Sequence, residues 1–214
     1  MQKTLLSAVT IGVLLLVPTP GATLPDAAVS GPAEQGKQTA IFAGGCFWCT
    51  EAVFEPLTGV DKVVSGYAGG DAKSADYRKV SSGQTNHAEV IEITYDPKVI
   101  TYAQLLKVFF AVAHDPTQLN YQGPDHGRQY RSAIFYRTPE QKNVAEKYIK
   151  QLTDAKAFPK PIVTELTQLT KFYPAEEYHQ DFVRRNPDHP YVMQWAVPKI
   201  KKLKAEFSAS LKKR

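Results

Sequence analysis

Thr39-Ala40-Ile41-Phe42-Ala43-Gly44-Gly45-Cys46-Phe47-Trp48-Cys49-Thr50-Glu51-Ala52-Val53-Phe54 is the stretch on which the reading of this chain turns. Its first five residues form a short apolar run of the kind that makes a buried strand. Gly44 and Gly45 permit a sharp turn. A helix-like run follows and Pro56 ends it, so Cys46 falls at or just before a helix N-terminus. Free backbone N–H groups and the helix dipole there are expected to favour a thiolate and lower the Cys46 pKa.

Cys46 and Cys49 are the only cysteines in the chain. A disulfide staple gains most from a long loop, and this spacing closes almost none, so the pair reads as chemical rather than structural. Three chemistries use Cys-x-x-Cys. Half a zinc site needs further close-spaced ligands, and His87, His114, His126, His179 and His189 include no tight pair. A thioredoxin-like dithiol sits at a helix start as this one does, but the bulky Phe47-Trp48 pair is unlike the residues usual between its thiols. The third is a reductase thiol with a resolving partner nearby.

Outside this stretch, His87 to Tyr95 alternates as a strand, with Glu89, Ile91, Ile93 and Tyr95 on one face. Thr101 and Gln104 form a capping box for a helix carrying Leu105, Leu106, Val108, Phe109 and Val112. Arg131 to Tyr136 reads as a strand. Thr138-Pro139-Glu140-Gln141 starts another helix, running to about Leu152, with a cap, an N1 proline and a reciprocal glutamine. Pro161 to Leu169 reads as the last strand. Three helices among about five strands imply an α+β two-layer sandwich, a mixed sheet with helices packed on it. The loop from Asp115 to Gln129 is long enough to be functional.

The 214 residues suit one folded domain, and the net charge of +5 fits a soluble basic enzyme. No interleaving of basic and aromatic residues suggests nucleic acid as a partner. The lysines from Lys199 to Lys213 predict a solvated helix or frayed end. Lys3, the apolar run Leu5 to Val17, and Pro18 and Pro20 read as a secretory signal, with Gly21 and Ser30 as alternative last residues. Residues 1–30 are thus signal and lead-in, 31–38 a linker, and 39–214 a single domain with a basic C-terminal tail. Ala22 to Gln38 is expected to be flexible. The protein is expected to be exported, periplasmic or secreted, without a membrane span after processing, and monomeric.

Five motifs in order carry a resemblance. Gly44-Gly45-Cys46-Phe47-Trp48-Cys49 after a strand resembles the active-site signature of the peptide methionine sulfoxide reductase A family. Gly66-Tyr67-Ala68-Gly69-Gly70 resembles its tyrosine-bearing glycine loop, and Asn86-His87-Ala88-Glu89-Val90 the segment with its catalytic glutamate. His114 to Gln118 with Asp125 to Ser132 resembles its central block, and Phe172 to Gln180, with Glu176 and His179, its late aromatic-acidic block. The likeness spans about Thr39 to Pro198. It departs in Asn86, where the family often has glycine, and in lacking the C-terminal cysteines that recycle many members.

The resemblance implies a ferredoxin-like arrangement and reduction of methionine S-sulfoxide, free or in proteins, without cofactor or metal. Cys46 would attack sulfur and become a sulfenic acid, which Cys49 would resolve as a disulfide for a thioredoxin-type reductant to reopen. Glu89, expected to be buried on the Ile91/Ile93 face, is the candidate acid. Tyr67 and Tyr130 would donate to the sulfoxide oxygen, Phe47 and Trp48 would wall the methyl group, and Asp125 would bind the substrate's backbone amide or orient water. Two other readings stand beside it. An envelope thiol-disulfide oxidoreductase needs Cys46 but not Glu89 or the tyrosines. A binding module would have no need of the nucleophile.

Overall fold

The computed structural model describes residues 23–29, 31 and 35–213; the apolar run Leu5 to Val17 and both proposed signal ends lie outside the described residues. A six-stranded sheet is built from β1 (Gln38–Gly44), β2 (Val60–Ala68), β3 (Ala88–Tyr95), β6 (Ser132–Tyr136), β7 (Glu165–Gln168) and β8 (Phe172–Pro174), in the order β7-β6-β1-β3-β2-β8. Every neighbouring pair is antiparallel except β6 with β7, so the sheet is mixed and the fold α+β. β4 (Tyr121–Gln122) and β5 (Asp125–His126) make a small separate hairpin within the long loop.

Alternation along β1 assigns the two faces. Ala40 and Phe42 join Ile91, Ile93 and the helices in the main core, while Ile41 and Ala43 join Val90, Ala133 and Phe135 in a smaller cluster on the reverse. The main core is covered by α1 (Phe47–Phe54), α3 (Tyr102–Val108) and α4 (Pro139–Asp154), with α2 (Tyr77–Ser81), α5 (Phe182–Arg185) and α6 (Val197–Glu206) nearer the edges. Thr101 and Gln104 form the expected capping box on α3, which continues as a π-helical turn over Phe109–Ala113. At α4 the Thr138 side chain accepts from the Gln141 amide, but the Gln141 carbonyl oxygen accepts from Arg137 rather than from the cap, and its amide donates to Thr39.

Three expectations change. β2 is not apparent from the sequence pattern, and Tyr67 lies within it, paired with Glu89, rather than in a glycine loop. Pro161 to Leu169 shrinks to β7, and β8 follows it as a sheet edge. Residues 23–29 are not a free lead-in. Leu24, Ala27 and Val29 pack on the main core, Tyr148 donates to the Pro25 carbonyl, and the Ala28 amide donates to Gln151. The basic end is the solvated helix of the two alternatives, with Lys201, Lys202 and Lys204 exposed, while Lys199 reaches inward to the Ala113 carbonyl.

Arg131 ties the central block to the start of β3. It is 4% exposed and donates to the carbonyls of Asn86, His87 and Arg128 while pairing with Glu165 at 3.0 Å. Arg131→Met would leave these acceptors without their donor, at a cost of about 3 kcal/mol. Urea unfolding is expected to show that loss; an unchanged midpoint would mean the carbonyls find other partners.

Candidate active site

β1 delivers the chain to Gly45, whose φ of +86° turns it into α1; a Cβ there would meet the Gln122 side chain at 2.5 Å, so both the bend and the close approach require glycine. Cys46 caps α1, and its carbonyl accepts from the amides of Cys49 at 3.2 Å and Thr50 at 3.3 Å. Cys46 is half-buried. Cys49, one turn on, is 2% exposed and covered by Val192 and Ala196.

The Cys46 thiol departs from the expectation of a lowered pKa. Burial pushes it well above the ordinary thiol range, and the hydrogen bond and charge of Cys49, with Glu89 beyond, add to the rise. One helix end does not offset removal from water. The resting protein therefore keeps Cys46 as a thiol, and Cys49, lowered first by the hydrogen bond from Cys46, is the more acidic of the two.

Glu89 projects from β3 opposite Tyr67 and is 2% exposed. Its Oε2 accepts from the Phe47 amide at 3.1 Å. Burial raises its pKa to about 8 against the pull of that amide, so at neutral pH it is mostly a neutral acid, anchored to the residue next to the nucleophile.

The tyrosines divide differently from the expected pair. Tyr67 is fully buried, and its hydroxyl donates to Glu176 Oε2 at 2.9 Å, so its single proton is already engaged. Glu176 Oε1 accepts from the Tyr77 amide at 2.9 Å. Tyr67 thus supports the start of α2 rather than supplying a donor to the site. Tyr130 and Tyr77 feel both Glu89 and Cys46, whereas Tyr191 feels Cys46 and Cys49. The first two are pushed above the usual phenol range, first by burial and then by groups that include Glu89 and Cys46. Sequence reasoning missed Tyr77; the one local sign is Asp76, whose side chain caps α2 immediately before it.

Aromatic rings close the site. Trp48 stacks on Phe182 at 3.7 Å and meets Tyr191 edge-on at 5.9 Å. Its indole donates to His179 Nδ1 at 3.0 Å, which leaves Nε2 as the protonated nitrogen. That Nε2 is buried and has no partner among the described residues, beside the Tyr77 ring at 4.3 Å. Phe47 is buried between Tyr67 and His179. Asp125 accepts a short hydrogen bond from the Tyr191 hydroxyl, and burial raises its pKa. Cys46, Cys49, Asp125 and Tyr191 line one cavity. The arrangement combines a thiol, a protonated carboxylic acid, two phenols and apolar walls, which suits attack on a neutral, oxygen-bearing centre.

A family model described as peptide methionine sulfoxide reductase matches residues 38–211. Peptide methionine sulfoxide reductase MsrA 2 of Synechocystis sp. is 51% identical over 96% of this chain and 97% of its own length. The protein of the same name from Mesorhizobium japonicum is 55% identical over 83% of this chain and 91% of its own. Among solved structures, reduced Mxr1 from Saccharomyces cerevisiae is similar with a TM-score of 0.65 at 34% identity, over 71% of this chain and 87% of that one. Methionine sulfoxide reductase A of Corynebacterium diphtheriae gives 0.60 at 36% identity, over 79% and 86%.

Proposed function

Since this chain belongs to the peptide methionine sulfoxide reductase family, we propose that it reduces the S-epimer of methionine sulfoxide with Cys46 as nucleophile and Glu89 as proton donor. The observation that carries these roles is the Glu89–Phe47 hydrogen bond, which holds a neutral carboxyl beside the cysteine. Sulfoxide sulfur is a poor electrophile until its oxygen gains a proton. Glu89 supplies that proton, and the Tyr77 and Tyr130 hydroxyls donate hydrogen bonds as negative charge grows on the oxygen. Phe47 and Trp48 hold the methyl group, and Asp125, steadied by Tyr191, receives the substrate's backbone amide. Oxygen passes from the substrate sulfur, which is reduced to the thioether, to Cys46, which becomes a sulfenic acid, and the proton that the Cys46 thiol gives up restores Glu89.

Cys49 condenses with that sulfenic acid, releasing water, and a thioredoxin-type dithiol reopens the disulfide. No organic cofactor is needed, since the two thiols carry the electrons. Lys3 and the apolar run after it support export to the periplasm or beyond.

The test is turnover of a racemic sulfoxide mixture with dithiothreitol, followed by chiral analysis of the residue. The S-epimer is expected to vanish while the R-epimer remains in full. Consumption of both epimers would sink the pocket assignment. Inertness toward both, with active exchange of protein disulfides, would favour the envelope oxidoreductase.

A further inference from the structure

Cys49 is buried under the C-terminal helical segment, yet the cavity that reaches it is not apolar throughout. About 270 Å³ in volume, it is lined by both cysteines and also by His114, Asp125, Tyr191 and Lys199. Lys199 projects from the first turn of α6, and its Nζ donates to the Ala113 carbonyl, at the end of the π-helical turn, at 2.6 Å. That bond fixes a half-buried ammonium in the wall of the cavity.

The geometry points to Lys199 as the positioning residue of the second half-reaction: its ammonium, tethered to Ala113, holds the Cys49 sulfur as the thiolate that attacks oxidised Cys46. This rests on the reading of Cys49 as the resolving thiol. A thiol as enclosed as Cys49 would ordinarily be inert, because burial disfavours its charged form. Here burial and Asp125 oppose ionisation, while the hydrogen bond from Cys46, the Lys199 charge and the Tyr191 hydroxyl favour it. Once Cys46 is a sulfenic acid its thiol proton no longer serves Cys49, and the share carried by Lys199 grows. His114 adds no compensating charge, since burial lowers its pKa to about 3. Lys202 also lines the cavity, but its side chain is half exposed and lies 3.9 Å from Glu206. Glu89 also feels the Cys49 charge, but burial first raises its pKa to about 8, so at pH 7 it is mostly neutral and opposes the thiolate little.

In the step itself the Cys49 sulfur forms a bond to the Cys46 sulfur, and the S–O bond breaks. The departing hydroxide takes a proton from solvent and leaves as water. The sulfenic sulfur is reduced by the electron pair that Cys49 gives up, and both sulfurs end in the disulfide.

The experiment is a single turnover: reduced, reductant-free protein with one equivalent of methionine S-sulfoxide, sampled for methionine, free thiols and a dimedone adduct on Cys46. Wild type is expected to lose two thiols per methionine with little adduct. Lys199→Met should still form methionine but close the disulfide on the order of tenfold more slowly at pH 7, the change in thiolate fraction for one pKa unit. The deficit should shrink as pH rises, and Lys199→Arg should restore the wild-type profile. Lys199→Gln can still donate to Ala113, so it separates charge from tether and should behave like Lys199→Met. Closure by Lys199→Met and Lys199→Gln at the wild-type rate with the wild-type pH dependence overturns the role of Lys199 while Cys49 remains the resolver. If wild type itself loses one thiol per methionine, the Cys49 reading fails and the Lys199 proposal with it.

Discussion

Cys46→Ser is expected to reduce sulfoxide turnover to the background of the buffer, with dithiothreitol or with any protein reductant. The reaction needs an atom that can accept oxygen, and sulfur can while the serine hydroxyl oxygen cannot. The two buried histidines of the region are also engaged elsewhere and cannot activate a hydroxyl. His114 is occupied by the Phe109 carbonyl and Ser132, and His179 by the Trp48 indole. The substitution is nearly isosteric at a helix cap, where serine is well tolerated, so the fold should survive. Retained turnover in Cys46→Ser would move the nucleophile to Cys49 and strip Cys46 of its role.

Glu89→Gln is expected to lower kcat by about 10²- to 10⁴-fold, the usual worth of a positioned acid. Glutamine fills the same space, and its oxygen still accepts from the Phe47 amide, so the strand and the helix start should be undisturbed. What disappears is the transferable proton. Alkylation of Cys46 by iodoacetamide should therefore persist, separating loss of the acid from loss of the nucleophile. The pH dependence has a definite sign. Glu89 donates only while neutral, and its pKa is raised to about 8, so wild-type turnover with a fixed thiolate supply should fall as pH rises through that value. The falling limb should be missing from Glu89→Gln. Full activity in the variant would transfer the acid's role to another group, with Tyr77 and Tyr130 next in line.

Much of this was legible in the sequence because it rests on local periodicity. β1, the glycine turn and α1 follow from sixteen consecutive residues, and β3 from its alternation. The capping box of α3 is a pattern of two side chains within one helical turn, and it forms as expected. β2 was hidden because its register shifts between Val60 and Lys62, and because Ser65 interrupts its inward face and Gly66 its reverse face. β8 is too short to carry a pattern. The site residues divide along the same line. Cys46 and Glu89 sit in elements whose direction can be read. Tyr77 owes its place to Glu176, which is 99 residues away and holds its amide. The sign of the Cys46 shift was equally out of reach, because it depends on burial by elements distant in the chain. The docking of residues 23–29 depends on partners on α3 and α4 that composition does not display.

The anchoring of Glu89 by the Phe47 amide has a consequence for how such a site can diverge. The spacing between acid and nucleophile is set by a main-chain group, and every residue but proline carries one. The side chain at position 47 is therefore free, as far as that spacing is concerned, to drift through generations. Its ring can be exchanged for another shape, altering which thioether fits, without unsettling the proton donor. On the proposed roles, the main chain thus conserves the reaction, while its specificity is left to a side chain that inheritance can vary.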